Sequence, residues 1–124
     1  MQSLIRTLMA ASAILVLASA APAGDQGDPA TSCGGGTPEM VECLTARTAQ
    51  WDKRMTIAYQ QALNDAPPQQ RAQLRAAQRL WIQYREANCL YYGLGEGSIA
   101  RIDAGECLRS MTEARARELE GRGR

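Results

Sequence analysis

Two adjacent prolines, Pro67 and Pro68, separate two long stretches of helical periodicity in this 124-residue chain. Neither stretch continues through them, because proline lacks a backbone N–H and clashes with the preceding turn. The first is predicted helical over residues 38–63, with apolar side chains at helical spacing: Met40, Leu44, Trp51, Met55, Ala58, Tyr59 and Ala62. The second is predicted over 69–91, with a similar stripe: Leu74, Ala77, Trp81, Tyr84 and Asn88, flanked by Leu80 and Ala87. The short connection predicts an antiparallel helical hairpin.

A third, shorter helix is predicted after a glycine-rich stretch. Three glycines between residues 93 and 97 end the second helix. Asp103 and Glu106 then have the spacing of a capping box, which predicts a helix over residues 104–119. Its inward face is predicted to carry Leu108, Met111, Arg115 and Leu119.

The first 23 residues have the composition of a secretory signal. Arg6 supplies a positive charge, residues 8–18 form an apolar run, and residues 21–23 form a small-residue cleavage site. Cleavage after Ala20 is an alternative. The run is shorter than the roughly 20 apolar residues that span a bilayer, and no cysteine follows it as a lipid acceptor.

We therefore expect a mature protein that is periplasmic or secreted, with no membrane span. Its predicted parts are a flexible arm at 24–36, a helical domain at 37–120 and a tail at 121–124.

The four cysteines of the chain all follow the predicted signal. An even number in a small exported chain predicts two disulfides. Zinc is disfavoured, since the chain has no histidine and no Cys-x-x-Cys spacing. Short loops favour Cys33–Cys43 and Cys89–Cys107, although Cys43–Cys89 and Cys43–Cys107 remain open. The predicted fold is all-α: a small disulfide-stapled bundle of a long antiparallel helical hairpin and a shorter third helix.

Charge and residue types exclude several functions. Loss of Arg6 with the signal leaves 13 basic and 13 acidic residues, a balance that disfavours nucleic acid as a partner. The absence of histidine removes the common nucleophilic arrangements, and no phosphate-binding glycine motif is present. We therefore expect no catalytic residues, no cofactor and no metal site.

Two sets of polar and aromatic residues are candidates for a structural or a binding role. Asp52 follows Trp51 on the first apolar stripe, and an internal salt bridge with Arg85 or Arg115 is its expected role. A solvent-facing group is expected where the second helix breaks into the glycine-rich loop at 91–103, because two adjacent tyrosines cannot easily both point inward. We take its members as possible partner contacts: Tyr91, Tyr92, Ser98 and Arg101.

The residues together resemble the LprI-type family of lysozyme inhibitor-like domains. The pattern comprises Cys33, Glu39, Cys43, Asp52, Tyr59, the block Ala77-Gln78-Arg79-x-Trp81-Ile82-x-Tyr84-Arg85-x-x-x-Cys89, Gly97-Ser98, Cys107, and Thr112-x-x-Arg115-x-x-x-Leu119. The resemblance covers nearly the whole mature chain.

This resemblance implies a small exported helical domain with disulfides, and inhibition of lysozyme at the bacterial envelope. The leading hypothesis is a non-enzymatic binding protein whose 91–103 loop lies across the sugar-binding cleft of lysozyme. The alternative is a structural or assembly module that docks on another envelope protein through a helix face. A monomer and a helix-packed dimer are both compatible with the helix composition.

Overall fold

The structure, a computed structural model, describes residues 33–122 and consists there of three helices without strands. They are α1 (Thr37–Asp65), α2 (Pro68–Gly93) and α3 (Ile99–Arg122). The predicted all-α, disulfide-stapled bundle is confirmed. The predicted signal, residues 24–32 of the arm and the last two residues of the tail lie outside the described residues.

The α1–α2 connection is short and closed by backbone and side-chain hydrogen bonds. The N–H of Ala66 donates to the carbonyl of Ala62 at 3.1 Å. Arg71 then reaches back from the first turn of α2, where its Nη2 donates to the carbonyl of Ala66 at 3.0 Å. These bonds direct α2 back along the bundle.

The three helices run up, down and up. Gln78 and Asn88 of α2 contact Arg115 and Cys107 of α3, respectively, so these two helices are antiparallel. α1 and α3 are parallel and form the most extensive contact of the bundle, whereas α1 and α2 touch each other at few points. The two helices of the hairpin are therefore joined largely through α3.

A close approach between α1 and α3 depends on a glycine. A Cβ atom built on Gly105 would lie 3.2 Å from Cδ1 of Leu44 and 3.3 Å from its Cβ. Leu44 is buried. A larger residue at position 105 would push the two helices apart.

The core lies between α1 and α3 and is closed on one side by α2. Its buried members are Trp51, Met55, Ala58, Ala116 and Leu119, with Tyr59, Leu74 and Trp81 packed against them. Trp51 is only 2% exposed. The large indole compensates for small neighbours, since Ala58 and Ala116 leave room for it.

Two predictions from the sequence are wrong. α3 begins at Ile99, five residues before the predicted start, so Asp103 and Glu106 lie within the helix and do not form its cap. Glycine at 97, with φ of +73°, completes the reversal early.

On α2, two positions of the predicted stripe are displaced by one residue, whereas Leu74, Trp81 and Asn88 lie on the inward side as predicted. Gln78 is buried and Arg85 half-buried, whereas Ala77 and Tyr84 are exposed. The shift escaped prediction because the inward side chains are polar.

Candidate functional site

The turn between α2 and α3 is short and rigidly built. Leu94 donates its N–H to the carbonyl of Leu90 at 3.0 Å, and Gly95 donates to Tyr92 at 3.2 Å. The positive φ of Gly97 then reverses the chain. The whole reversal takes five residues, 94–98.

A disulfide joins the two helices that flank this turn and so braces it. Cys89 near the end of α2 and Cys107 in α3 are joined at an S–S distance of 2.06 Å, and both are buried. Asn88 supports the bridge, because its Nδ2 donates to Cys107 Sγ and to Met111 Sδ, both at 3.4 Å. The Cys33–Cys43 disulfide ties the preceding segment to α1 at the same end of the bundle. The structure thus contains both favoured pairings.

Exposed apolar side chains concentrate at this braced turn. Five of the eight large apolar side chains exposed in residues 33–122 lie within ten positions of one another. We call these five the apolar tip: Leu90 (60% exposed), Tyr91 (75%), Tyr92 (45%), Leu94 (76%) and Ile99 (56%). Apolar patches on monomers are commonly functional, so this end is a candidate contact surface.

The two tyrosines of the tip are positioned against each other. Their ring centroids are 5.3 Å apart, with an interplanar angle of 77°, an edge-to-face arrangement that aromatic pairs favour. Tyr92 also lines a shallow groove of about 530 Å³ between α2 and α3, whose other lining residues include Asp103, Glu106 and Ser110. Acidic side chains therefore lie close to the aromatic ones.

All four residues singled out as possible contacts are exposed at this end. Tyr91 and Tyr92 lie in the last turn of α2, and Ser98 lies in the connection. Arg101 lies in the first turn of α3, not in a loop, and its N–H donates to the carbonyl of Ser98 at 3.3 Å. Leu90, Leu94 and Ile99 were missed because only aromatic and polar side chains were considered; their clustering around the glycines was the available signal.

A separate set of polar residues ties the three helices together. Arg85 of α2 donates from Nη1 to Asp52 of α1 and to Thr112 of α3, both at 3.0 Å. Arg115 does not pair with Asp52: its Nε donates to Gln78 at 3.0 Å and its Nη1 to Glu118 at 2.6 Å.

Both buried or half-buried tryptophans are flanked by arginines. The guanidinium carbons of Arg85 and Arg115 lie 5.1 and 5.9 Å from the Trp81 ring centre. Those of Arg54 and Arg117 lie 4.8 and 5.0 Å from that of Trp51. Arg85 and Arg115 make these contacts from the interior of the bundle, whereas Arg54 and Arg117 are exposed and cover the edge of Trp51.

No cluster of potential metal ligands occurs between residues 33 and 122. Within that same part, none of the helices is long and apolar enough to span a membrane.

The model of one protein family, described as Lysozyme inhibitor LprI, matches residues 29–119. Neither the curated proteins nor the solved structures contain a match to the chain. The chain belongs to the LprI family, and this membership together with its two disulfides indicates an extracytoplasmic protein.

Proposed function

We propose that this member of the LprI family is an exported, non-enzymatic binding protein that inhibits lysozyme by protein–protein contact at the cell envelope. The apolar tip is the observation that carries the proposal. It combines five exposed large apolar side chains with a disulfide-braced turn. We further propose that residues 1–23 are removed on export and that the mature chain is periplasmic or secreted.

The tip has a shape and chemistry suited to a sugar-binding cleft. It is a tight reversal, because the chain turns back within the five residues 94–98. Tyrosine offers an apolar ring and a hydroxyl, which matches a cleft wall built for sugar rings with apolar faces and hydroxyl groups. Tyr91 and Tyr92 would occupy such a wall.

Arg101 adds an electrostatic component at the edge of the tip. Glycosidases of the lysozyme type hold two carboxyl groups beside the scissile bond. Arg101 is exposed on the first turn of α3, and its guanidinium can donate two parallel hydrogen bonds to a carboxylate. Placed over the catalytic carboxylates, it would block the position of the substrate.

The rigidity of the tip favours tight binding. Short hydrogen-bonded reversals and a disulfide leave little conformational freedom to lose when a partner binds. Two adjacent exposed aromatic residues are also the kind that dominate binding energy at interfaces. We therefore expect the tyrosines to contribute more than Ser98.

Inhibition of peptidoglycan lysis by lysozyme tests this proposal. Wild-type oxidised protein is expected to inhibit in a dose-dependent manner. Tyr91→Ala/Tyr92→Ala should weaken inhibition by roughly 30- to 1,000-fold, because each hot-spot aromatic contributes about 1–2 kcal/mol and every 1.4 kcal/mol is tenfold. Arg101→Ala should weaken it by about 5-fold or more.

Ile57→Ala is the matched control for this experiment. Ile57 is 52% exposed on α1, near the opposite end of the bundle from the tip. Its replacement should leave inhibition unchanged. Equal inhibition by the wild-type protein and folded tip variants would remove the tip from the binding surface, and absence of any inhibition would refute the function itself.

A second candidate function is an assembly module that docks on another envelope protein through a helix face. An apolar helix face that is exposed and does not pack in the core favours this second function. α2 has such a face, which includes Leu80 and Tyr84. Capture of a specific envelope protein that is lost in Leu80→Glu and kept in Tyr92→Ala would support this function over inhibition.

A further inference from the structure

α2 has a second apolar face that its own bundle does not use. Its buried or half-buried inner residues include Gln78, Trp81, Arg85 and Cys89. A second series of side chains recurs at alternating steps of three and four residues, and all are exposed. We call this series, which ends at the C-cap immediately after the helix, the outer face of α2: Ala77, Leu80, Tyr84, Ala87, Tyr91 and Leu94.

The outer face lies well away from the core and carries no charge. At 3.6 residues per turn, its centre is roughly 120° around the helix from the inner residues. The charged side chains of α2 fall elsewhere on the helix surface: Arg71, Arg75, Arg79, Arg85 and Glu86. A solvent-facing side of a helix is ordinarily its charged side. An uncharged apolar face about 26 Å long therefore indicates a partner.

We propose that the partner is a second copy of this chain, bound through two antiparallel α2 helices related by a two-fold axis. The order of large and small residues makes the face complementary to itself. In one antiparallel register, Tyr84 lies opposite Ala87 of the second copy, Leu80 opposite Tyr91, and Ala77 opposite Leu94. Tyr84 and Leu94 then each face an alanine, and Tyr91 faces the smaller Leu80. Such pairing of large with smaller side chains suits knobs-into-holes packing.

The area of the face fits a modest dimer. Tyr84 and Tyr91 are 61% and 75% exposed. A tyrosine side chain buries about 150–250 Å², so these two alone offer roughly 200–340 Å². With the leucines and alanines, two facing copies would bury on the order of 1,000 Å², which is near the lower limit of specific interfaces. Because weak complexes have interfaces of about this size, we expect a dissociation constant in the micromolar range.

Self-association would compete with target binding. Tyr91 and Leu94 belong both to the outer face of α2 and to the apolar tip, so one copy cannot use them in both contacts at once. This consequence rests on the proposed inhibitory function, whereas the dimer itself does not. Leu80 and Tyr84 lie outside the tip and allow the dimer to be tested independently of inhibition.

Sedimentation velocity of the oxidised mature protein, from about 1 to about 200 µM, tests the dimer, since this range brackets a micromolar constant. The wild-type protein should shift from monomer to dimer with concentration. Leu80→Glu should weaken the dimer at least 10-fold, and Ile57→Glu, an equally apolar-to-acidic change on exposed α1, should not. Circular dichroism checks that each variant keeps its helices.

A residue swap tests the antiparallel register. Tyr84→Ala alone leaves Ala opposite Ala, and Ala87→Tyr alone places Tyr against Tyr, so each should weaken the dimer. The double variant Tyr84→Ala/Ala87→Tyr restores the large–small pairing and should recover most of the wild-type affinity. A double variant as weak as the single ones would overturn the register. A wild-type monomer throughout the concentration range would overturn the dimer and favour a different macromolecule as the occupant.

Discussion

At the scale of residues, Arg85 connects all three helices. One guanidinium nitrogen bonds to Asp52 and Thr112, so a single side chain on α2 connects the other two helices. The same group lies over Trp81. The Arg85 side chain is only 13% exposed, whereas that of Asp52 is 48% exposed. Water can therefore solvate the carboxylate of Asp52 if the ion pair is lost, but it reaches the guanidinium of Arg85 much less.

Removal of Arg85 should therefore be costly. Arg85→Ala deletes two hydrogen bonds and a cation–π contact in a half-buried site, and it should lower the free energy of unfolding by about 2–4 kcal/mol. Asp52→Ala should cost only about 1 kcal/mol, because Asp52 is half exposed and Arg85 keeps Thr112. Urea denaturation with intact disulfides measures both values, and exposed Arg79→Ala serves as the control. Equal costs for Arg85 and Asp52 would contradict this asymmetry.

The sequence predicted the internal position of some of these polar residues but not of others. Asp52 was expected to form an internal salt bridge with one of two arginines, and the structure assigns it to Arg85. Gln78 was not expected inside, because a buried amide has no apolar signature. Its partners, Arg115 and Met55, come from two other helices, and no local pattern reveals contacts between residues so distant in the chain.

At the scale of elements, α3 carries a series of ion pairs along its length, which we call the ladder. Arg109 pairs with Glu106 and Glu113, Arg117 also pairs with Glu113, and Glu118 pairs with Arg122 and Arg115. Hydrogen bonds from these arginines lower the pKa of Glu106, Glu113 and Glu118 below their ordinary value. The ladder supports a helix whose outward side is otherwise polar.

The lowered glutamate pKa values predict acid sensitivity. A carboxyl group with a lower pKa in the folded state stabilises the protein above its unfolded pKa, near 4.5, and this stability is lost as the pH falls through the folded pKa. The free energy of unfolding should therefore decrease from about pH 5 to about pH 3, by well under 1 kcal/mol per exposed pair. Urea denaturation across this range should show a weaker pH dependence in Glu113→Gln. An unchanged slope would contradict the role of the ladder.

The Cys89–Cys107 disulfide controls the turn between α2 and α3. Cys89→Ala/Cys107→Ala opens a bridge with a sequence separation of 18, and should lower stability by about 3 kcal/mol. Hydrogen exchange at residues 94–98 should become faster, because the turn loses its brace. Cys33→Ala/Cys43→Ala is the matched control and should leave exchange at 94–98 unchanged. Equal acceleration in both variants would show that the brace is not local.

The ends of the helices were predictable where residues that cannot continue a helix mark the turn. The two prolines fixed the α1–α2 connection to within a few residues. The start of α3 was missed because a capping-box pattern at Asp103 outweighed the glycine at 97, whose positive φ ends the turn sooner. A local pattern does not reveal which of two adjacent start signals the rest of the fold uses.

At the scale of the whole molecule, the three helices form one buried core and two exposed apolar surfaces. α1 and α3 form the main contact, and α2 completes the core. The outer face of α2 and the apolar tip meet at Tyr91 and Leu94. Helix periodicity predicted the bundle but not this arrangement, because an apolar stripe indicates burial without indicating which partner buries it.

Amide chemical-shift mapping of the isotope-labelled, oxidised mature protein during titration with lysozyme tests the central claim most directly. We expect shifts confined to residues 90–101, with the largest at Tyr91, Tyr92 and Leu94, and no change around Ile57. Leu80→Glu should bind with at least wild-type affinity, because loss of the dimer frees the tip. Shifts centred on residues 77–87 with none at the tip, or no shifts at all with lysozyme in excess, would contradict the proposal that the tip binds lysozyme.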